Sequence, residues 1–237
     1  MDLGIDGKVA LVTGSSKGLG RASAASLSRE GANVVLCARD GAELARAEHA
    51  MAGEALSIVA DVTDPAAPQR LAEAAVARFG GLDILVANAG GPPPARALEF
   101  DDAALQAALE ANLLTSIRLV RAAVPHMRRA GWGRIVLLTS RTIKQPNPAL
   151  ALSNTARTGL WAWAKTAAQD LFDDGITLNL ACPGSHATDR AIELGLEGPM
   201  GDPDHFGEVV AFLCSAQADF VTGSAVQVDG GEILGLL

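Results

Sequence analysis

Seven short aliphatic runs recur along the chain, separated by stretches with helical character. The runs are KVALVTG, ANVVLCA, ALSIVAD, LDILVANAG, GRIVLLTS, ITLNLACPG and GSAVQVDG. Each holds about four to six aliphatic or β-branched residues without polar alternation, the pattern of strands buried on both faces. Intervening segments such as RASAASLSREG and PQRLAEAAVARFGG are alanine-rich and end in glycine, as helices often do. Repeated strand–helix alternation requires right-handed crossovers. The expected fold class is therefore α/β: a single-domain, Rossmann-type, doubly wound parallel sheet with helices on both faces. No repeat or low-complexity linker interrupts the 237 residues, so one domain is expected over 1–237. Its ligand site should form from the loops after the strand C-termini.

Composition narrows the function classes. Hydrophobic residues make up 49%, aromatics only 4%, and there are 25 glycines, which suits aliphatic strands and tight turns rather than a disulfide scaffold or a disordered chain. A net charge of −8 argues against broad binding to nucleic acid or anionic membrane. The N-terminus MDLGIDGKVALVTG lacks a basic segment followed by a long apolar one, and no run approaches the roughly 18 apolar residues of a membrane helix. A soluble, cytoplasmic protein is expected. Cys37, Cys182 and Cys214 are widely spaced without a CxxC pair, so they read as buried reduced thiols, with no metal site.

The first strand runs into TGSSKGLG, Thr13 to Gly20, and then a helix. Glycines at 14, 18 and 20 let the backbone turn tightly against a pyrophosphate, and the helix start supplies unpaired N–H groups. A glycine-rich motif alone is weak, but this one follows a strand, opens a helix and begins a βαβ series. The second strand ends LCARD. An NAD-selective fold would favour an acidic residue where Ala38 stands, to accept hydrogen bonds from the ribose 2′-OH. Instead Arg39 follows, and Lys17 lies inside the glycine loop. Two cations and no carboxylate at that slot point to the 2′-phosphate of NADPH, unless both are merely solvated surface charges. Asp40 adjoins Arg39 and would weaken the preference, leaving room for some use of NADH.

TGSSKGLG, Asp61-Val62, Ala87-Asn88-Ala89-Gly90, Asn112, Ser140 and Pro183-Gly184 fall in an order that resembles the short-chain dehydrogenases/reductases over essentially the whole chain. The resemblance implies cofactor contacts from Gly14, Ser16, Lys17, Gly18, Leu19 and Gly20 in the loop and from Arg39 beside the 2′ position. Asp61 and Val62 would hold adenine, and Asn88, Ala89 and Gly90 would line the cofactor. Pro183, Gly184 and Thr188 would lie at the nicotinamide. Similar enzymes form homodimers or homotetramers through the helices around Asn112 and Arg157.

In that family's pattern a tyrosine follows the serine by thirteen residues and a lysine follows the tyrosine by four. Counting from Ser140 reaches Ser153 and Arg157, and the chain contains no tyrosine. Positions 153 and 157 still share one helix face. The candidate catalytic set is Ser140, Ser153, Arg157 and Asn112, the last resembling the helix asparagine that organises a relay water in the family. Arg157 can hold the nicotinamide ribose and offer positive potential, but a guanidinium is a poor proton donor. Loss of a placed general acid costs about 10²–10⁴-fold. Ser140 and Ser153 remain as hydrogen-bond donors to a developing alkoxide. The proton would come from water, or from a phenol that the substrate itself carries beside its ketone.

Arg141 and Lys144 are either further donors or solvated loop charges, and His186 is either an acid near neutral pH or a structural loop histidine. The stretch TDRAIELGLEGPM suggests a shortened lid, open enough for a bulky, flat substrate. Gly91-Pro92-Pro93-Pro94 is stiff and forms a candidate wall. Leu150, Leu152, Ile192, Leu194 and Leu196 line the pocket or pack in the core. Trp161 and Trp163, two apart on a helix, cannot both face the site, and one is expected at a subunit interface. The expected activity is NADPH-dependent reduction of an aromatic polyketide ketone. Reduction of a 3-oxoacyl thioester and a non-catalytic NADP-binding role are the alternatives.

Overall fold

In a computed structural model, which describes residues 1–236, the seven aliphatic runs form seven strands. They are β1 (Val9–Thr13), β2 (Asn33–Ala38), β3 (Ala55–Val59), β4 (Ile84–Ala87), β5 (Gly133–Leu138), β6 (Ile176–Pro183) and β7 (Ala225–Val228). One sheet contains them all in the order β3-β2-β1-β4-β5-β6-β7, every neighbour parallel. The connections carry α1 (Gly18–Arg29), α2 (Gly41–His49), α3 (Ala67–Phe79), α4 (Asp102–Leu109), α5 (Thr115–Ala130), α6 (Ala151–Phe172), α7 (Asp189–Glu193) and α8 (Pro203–Leu213). This is the doubly wound α/β sheet that the alternation of runs predicts. Gly80 ends α3 in a left-handed conformation, φ 85°, which a glycine adopts without strain.

Successive strand residues point to opposite faces, and both faces are covered. Leu11, Leu85, Ile135 and Leu137 join one core with Leu71 of α3, Leu119 of α5 and Leu160 of α6. Ala10, Val12, Ile84, Val86 and Val136 join the other with Leu27 of α1, Leu44 of α2 and Phe206 of α8. The expectation of burial on both faces fails at the sheet's two edges. In β3 the residues are only partly covered and Val59 is 62% exposed, and β7 is likewise incompletely covered. An edge strand has one neighbour instead of two, so its flanks are closed less completely. Both Trp161 and Trp163 pack partly against the α3–α5–α6 core.

Cys37, Cys182 and Cys214 are buried free thiols, and burial pushes those of Cys37 and Cys214 up to about 12. Among the described residues no helix is long and apolar enough to cross a membrane. A buried cation that the sequence patterns do not single out sits near the start of β5. The Arg134 guanidinium donates to the carbonyls of Ser215 (2.9 Å), Gly133 (2.9 Å) and Gly175 (3.3 Å), and it lies 4.5 Å over the Trp132 ring. One side chain thus ties together carbonyls from three parts of the chain, the Gly175 carbonyl also accepting from the Gly133 N–H at 3.3 Å. Arg134→Met should cost about 2–4 kcal/mol in equilibrium urea unfolding, since buried acceptors lose their donor. Arg134→Lys should recover little of it, because an ammonium lacks the planar fork.

Candidate cofactor-binding and active site

The strand order reverses between β1 and β4, and it is at the carboxyl rim of such a switch point that open parallel sheets form their ligand crevice. The two strand ends are stitched together. Thr13 Oγ1 donates to the Asn88 carbonyl (2.8 Å) and accepts from the Asn88 N–H (2.9 Å). Asn88 Nδ2 donates to the Gly14 carbonyl at 3.1 Å. Ser15 ties the same loop to β2, its Oγ accepting from the Cys37 N–H at 2.9 Å. Thr13 and Ser15 belong to the quoted motif, but their anchoring role was missed because it depends on neighbours remote in sequence. At Gly20 a Cβ would lie 2.2 Å from the Gly14 carbonyl oxygen and 2.7 Å from Asn88 Nδ2. The loop therefore closes onto itself only with glycine at 20.

Lys17 occupies the N-cap position of α1 in extended backbone without a side-chain cap, with Ser16 and Leu19 half-buried on either side and Gly18 facing Thr188. The first turn of α1 has no acidic residue, so its N–H groups face the crevice without a competing carboxylate on the helix. This tight cradle fits a dinucleotide pyrophosphate. At the end of β2, Arg39 is exposed and makes no ion pair among the described residues. The carboxylate of Asp40 is occupied elsewhere, accepting from the N–H groups of Ala42 (2.9 Å) and Glu43 (3.0 Å) as the cap of α2. Lys17 Nζ lies 3.4 Å from Asp189, both side chains being largely exposed. Asp61 Oδ1 accepts from the Thr63 N–H (2.9 Å) and O–H (2.8 Å), which holds its carboxyl below the usual range. Val62 packs half-buried beside it.

Across the crevice, Ser140 follows β5 and caps the short 3₁₀ turn Arg141–Ile143, its Oγ accepting from the Thr142 N–H at 3.2 Å. Ser153 and Arg157 are both buried on α6. Among the described residues Ser153 Oγ has no hydrogen-bond partner, whereas Thr155 and Thr166 on the same helix donate back to carbonyls one turn earlier. Arg157 reaches the rim of the sheet, donating to the Leu138 carbonyl (2.9 Å) and the Ala89 carbonyl (3.5 Å). It has no carboxylate partner among the described residues, and burial pushes its guanidinium down to about 10. A buried cation without an anion is costly, and it marks a place where a charged ligand would relieve the cost.

Asn112 lies buried in a π-helical turn, Glu110–Leu114, between α4 and α5. Its Nδ2 reaches the Ala108 carbonyl at 3.5 Å, while its Oδ1 is buried without a partner. Such π turns occur often at functional sites, and no local sequence pattern announces this one. The Gly91–Pro94 segment leads into Ala95, which pairs with the start of α6 through the Ala149 and Ala151 backbones at 2.9 and 3.0 Å. Gly90 is exposed at the mouth, and Gly184 N–H bonds to the Val228 carbonyl at 3.0 Å. Thr188 precedes the five-residue α7, the short lid that TDRAIELGLEGPM suggested.

Packing bears on several of the open alternatives. His186 Nδ1 pairs with the Gly184 carbonyl (3.1 Å), its ring stands edge-on to Phe206, and Gly201 abuts the other side. These contacts favour a structural histidine. Arg141 is paired with Glu232, and Lys144 stands 6.0 Å from the Trp161 ring. Leu152 is core, while Ile192 on the lid is 78% exposed. Gly20→Ala should abolish measurable dinucleotide binding in a fluorescence titration, because its methyl would displace the Gly14 carbonyl from the cradle. Retention of parental affinity would contradict that placement.

Residues 8–197 match the short chain dehydrogenase family. The chain is 32% identical to dehydrogenase/reductase SDR family member 4 of Bos taurus, covering 97% of this chain and 88% of that protein. It is 31% identical to the Escherichia coli 3-oxoacyl-[acyl-carrier-protein] reductase FabG, covering 97% and 98%. Among solved structures, the L-sorbose reductase of Gluconobacter frateurii, complexed with NADPH and L-sorbose, superposes with a TM-score of 0.93 at 32% identity over 100% of both chains. By fold, by the stitched glycine cradle at the sheet's switch point and by these similarities, the chain belongs to the short-chain dehydrogenase/reductase family.

Proposed function

We propose that the chain is an NADPH-dependent ketoreductase acting on a bulky aromatic ketone of the angucyclinone type, with a proton that the polypeptide does not itself supply. One observation carries this reading. On one buried face of α6, the Ser153 hydroxyl, without a hydrogen-bond partner among the described residues, stands one turn from Arg157, a cation without a carboxylate partner among them, in a chain that has no tyrosine. The exposed α7 lid and the stiff 91–94 wall are consistent with a flat, bulky substrate. The missing tyrosine, Ser153 and the short lid together resemble the angucyclinone ketoreductase of simocyclinone biosynthesis.

The glycine cradle would hold the pyrophosphate, Arg39 and Lys17 the 2′-phosphate, and Arg157 the nicotinamide ribose. Bound there, the reduced nicotinamide supplies a hydride to a carbonyl carbon held nearby. The chain's own task is to hold the carbonyl oxygen. Ser140 and Ser153 donate hydrogen bonds to it as negative charge develops. A phenol beside the ketone then gives its proton to the alkoxide oxygen, leaving a phenolate that solvent reprotonates. Positioning supplies much of the rate in such a site, so a weak protein acid is tolerable. A cytoplasmic homodimer or homotetramer completes the proposal.

Reduction of a 3-oxoacyl thioester is the second reading, favoured by the similarity to FabG. It lacks a substrate phenol, so a panel of ketones and thioesters followed by NADPH oxidation separates the two. Ketones with a neighbouring phenol should turn over faster than their deoxy or methylated counterparts by about 10²-fold or more. Ser140→Ala or Ser153→Ala, taken singly, should lower kcat on the phenolic ketones by about 10²-fold, still measurably above background. A fall to background would mean that a protein donor is required. Failure of every ketone and thioester, with NADPH still bound, would leave the non-catalytic alternative.

Lys17 must leave Asp189 to meet a 2′-phosphate. An exposed pair of this kind contributes little, so Asp189→Asn should tighten NADPH by about 2–5-fold and leave NADH unchanged in fluorescence titrations.

A further inference from the structure

Behind the crevice, the segment after β7 makes contacts that the proposed chemistry leaves unused. Both carboxylate oxygens of Glu232 are engaged, each with a different loop of the site. Oε1 accepts from the backbone N–H of Ser185 at 2.7 Å, and Oε2 lies 2.6 Å from Arg141 Nε. Ser185 directly follows the Pro183–Gly184 turn, and Arg141 directly follows Ser140. The side chains of Arg141 and Glu232 are 26% and 29% exposed, so solvent screens this pair less than a pair on the open surface.

The rest of the segment holds that carboxylate still. Asp229 accepts from the N–H groups of Gly231 (3.1 Å) and Ile233 (3.0 Å), which shapes the turn carrying Glu232. Gln145, at the far end of the Ser140 loop, accepts from the Leu234 N–H at 3.0 Å. At Gly184 a Cβ would lie 2.7 Å from Asp229 Cα and 2.9 Å from Glu232 Oε1, so the turn and the segment are in close contact.

We infer that Glu232 is a positioning residue, a single carboxylate that sets the spacing between the loop presenting Ser140 and the turn at the nicotinamide end of the crevice. Its catalytic consequence rests on the reductase reading; its structural consequence does not. A carboxylate hydrogen-bonded to one loop and ion-paired with the other makes their positions interdependent, and hydride transfer is steeply sensitive to small misplacements. A tail that merely closed the fold would need neither the charge nor the double contact.

The test compares parent protein, Glu232→Gln and Glu232→Ala by NADPH-oxidation kinetics and by backbone hydrogen exchange. Glu232→Ala should lower kcat by about 10–100-fold, with KM for the ketone within about 2-fold. It should speed exchange together at 141–145 and 184–188, and leave β1 and β2 unchanged. Glu232→Gln keeps an oxygen for Ser185 and loses only the charge facing Arg141, so it should fall between, and it serves if the alanine variant does not fold. Unchanged kcat with a lowered Tm, or faster exchange in only one of the two loops, would overturn the inference. If no ketone is reduced by the parent protein, the reductase reading fails, and the exchange data alone decide the role of Glu232.

Discussion

Seven strands pair in parallel, so each connection must return to the starting edge before the next strand can begin, and every strand ends at the same rim. That constraint gathers Gly14–Gly20, Arg39, Asp61, Asn88, Ser140 and Pro183 at one end of the sheet, although they are spread over most of the chain. The reversal of strand order between β1 and β4 makes that rim the switch point where such sheets place their ligand crevice. Thr13 and Asn88 hold the two strand ends there at fixed spacing through reciprocal hydrogen bonds. Everything chemical in the molecule depends on this arrangement of backbone.

Within the crevice the chain departs from the rules that govern its core. Among the described residues, Arg157 is buried against carbonyls with no carboxylate partner, Asn112 leaves a buried oxygen unpaired in a π turn, and the Ser153 hydroxyl has no hydrogen-bond partner. Arg134, also buried, is by contrast saturated by three carbonyls; among the described residues Thr142, Asn154 and Thr177 also keep a buried oxygen without a partner. The two buried arginines differ in their partners. Arg134 donates to three carbonyls and stacks on Trp132, while Arg157 donates to two carbonyls.

The outline of the fold was legible because burial on both faces leaves a mark in composition: aliphatic runs without alternation, each followed by helical spacing. The glycine cradle was legible for a similar reason, since a Cβ at Gly20 collides with backbone and only one residue type survives there. The edges were less legible. ALSIVAD reads like the central runs, yet β3 has a neighbour on one side only, which the run itself does not encode. Asp40 next to Arg39 looked like a neutralising partner, whereas its carboxylate turned to cap α2. His186 was ambiguous until Phe206 and Gly201, distant in sequence, closed around its ring.

By itself, then, the order of residues determined the strand–helix alternation, the cradle's glycines, the presence of Lys17 and Arg39 after the first two strands with no carboxylate at position 38, and the absence of any phenol in the polypeptide. These follow from local backbone geometry and from side-chain chemistry, which act over a few residues. Only the tertiary structure decided which charges are paired, which hydroxyls are free and which loops are tied together. Glu232 meets both Ser185 and Arg141 because the sheet brings three remote segments within a hydrogen bond's reach. Such contacts depend on distance in space, and a parallel sheet makes that distance almost independent of separation along the chain.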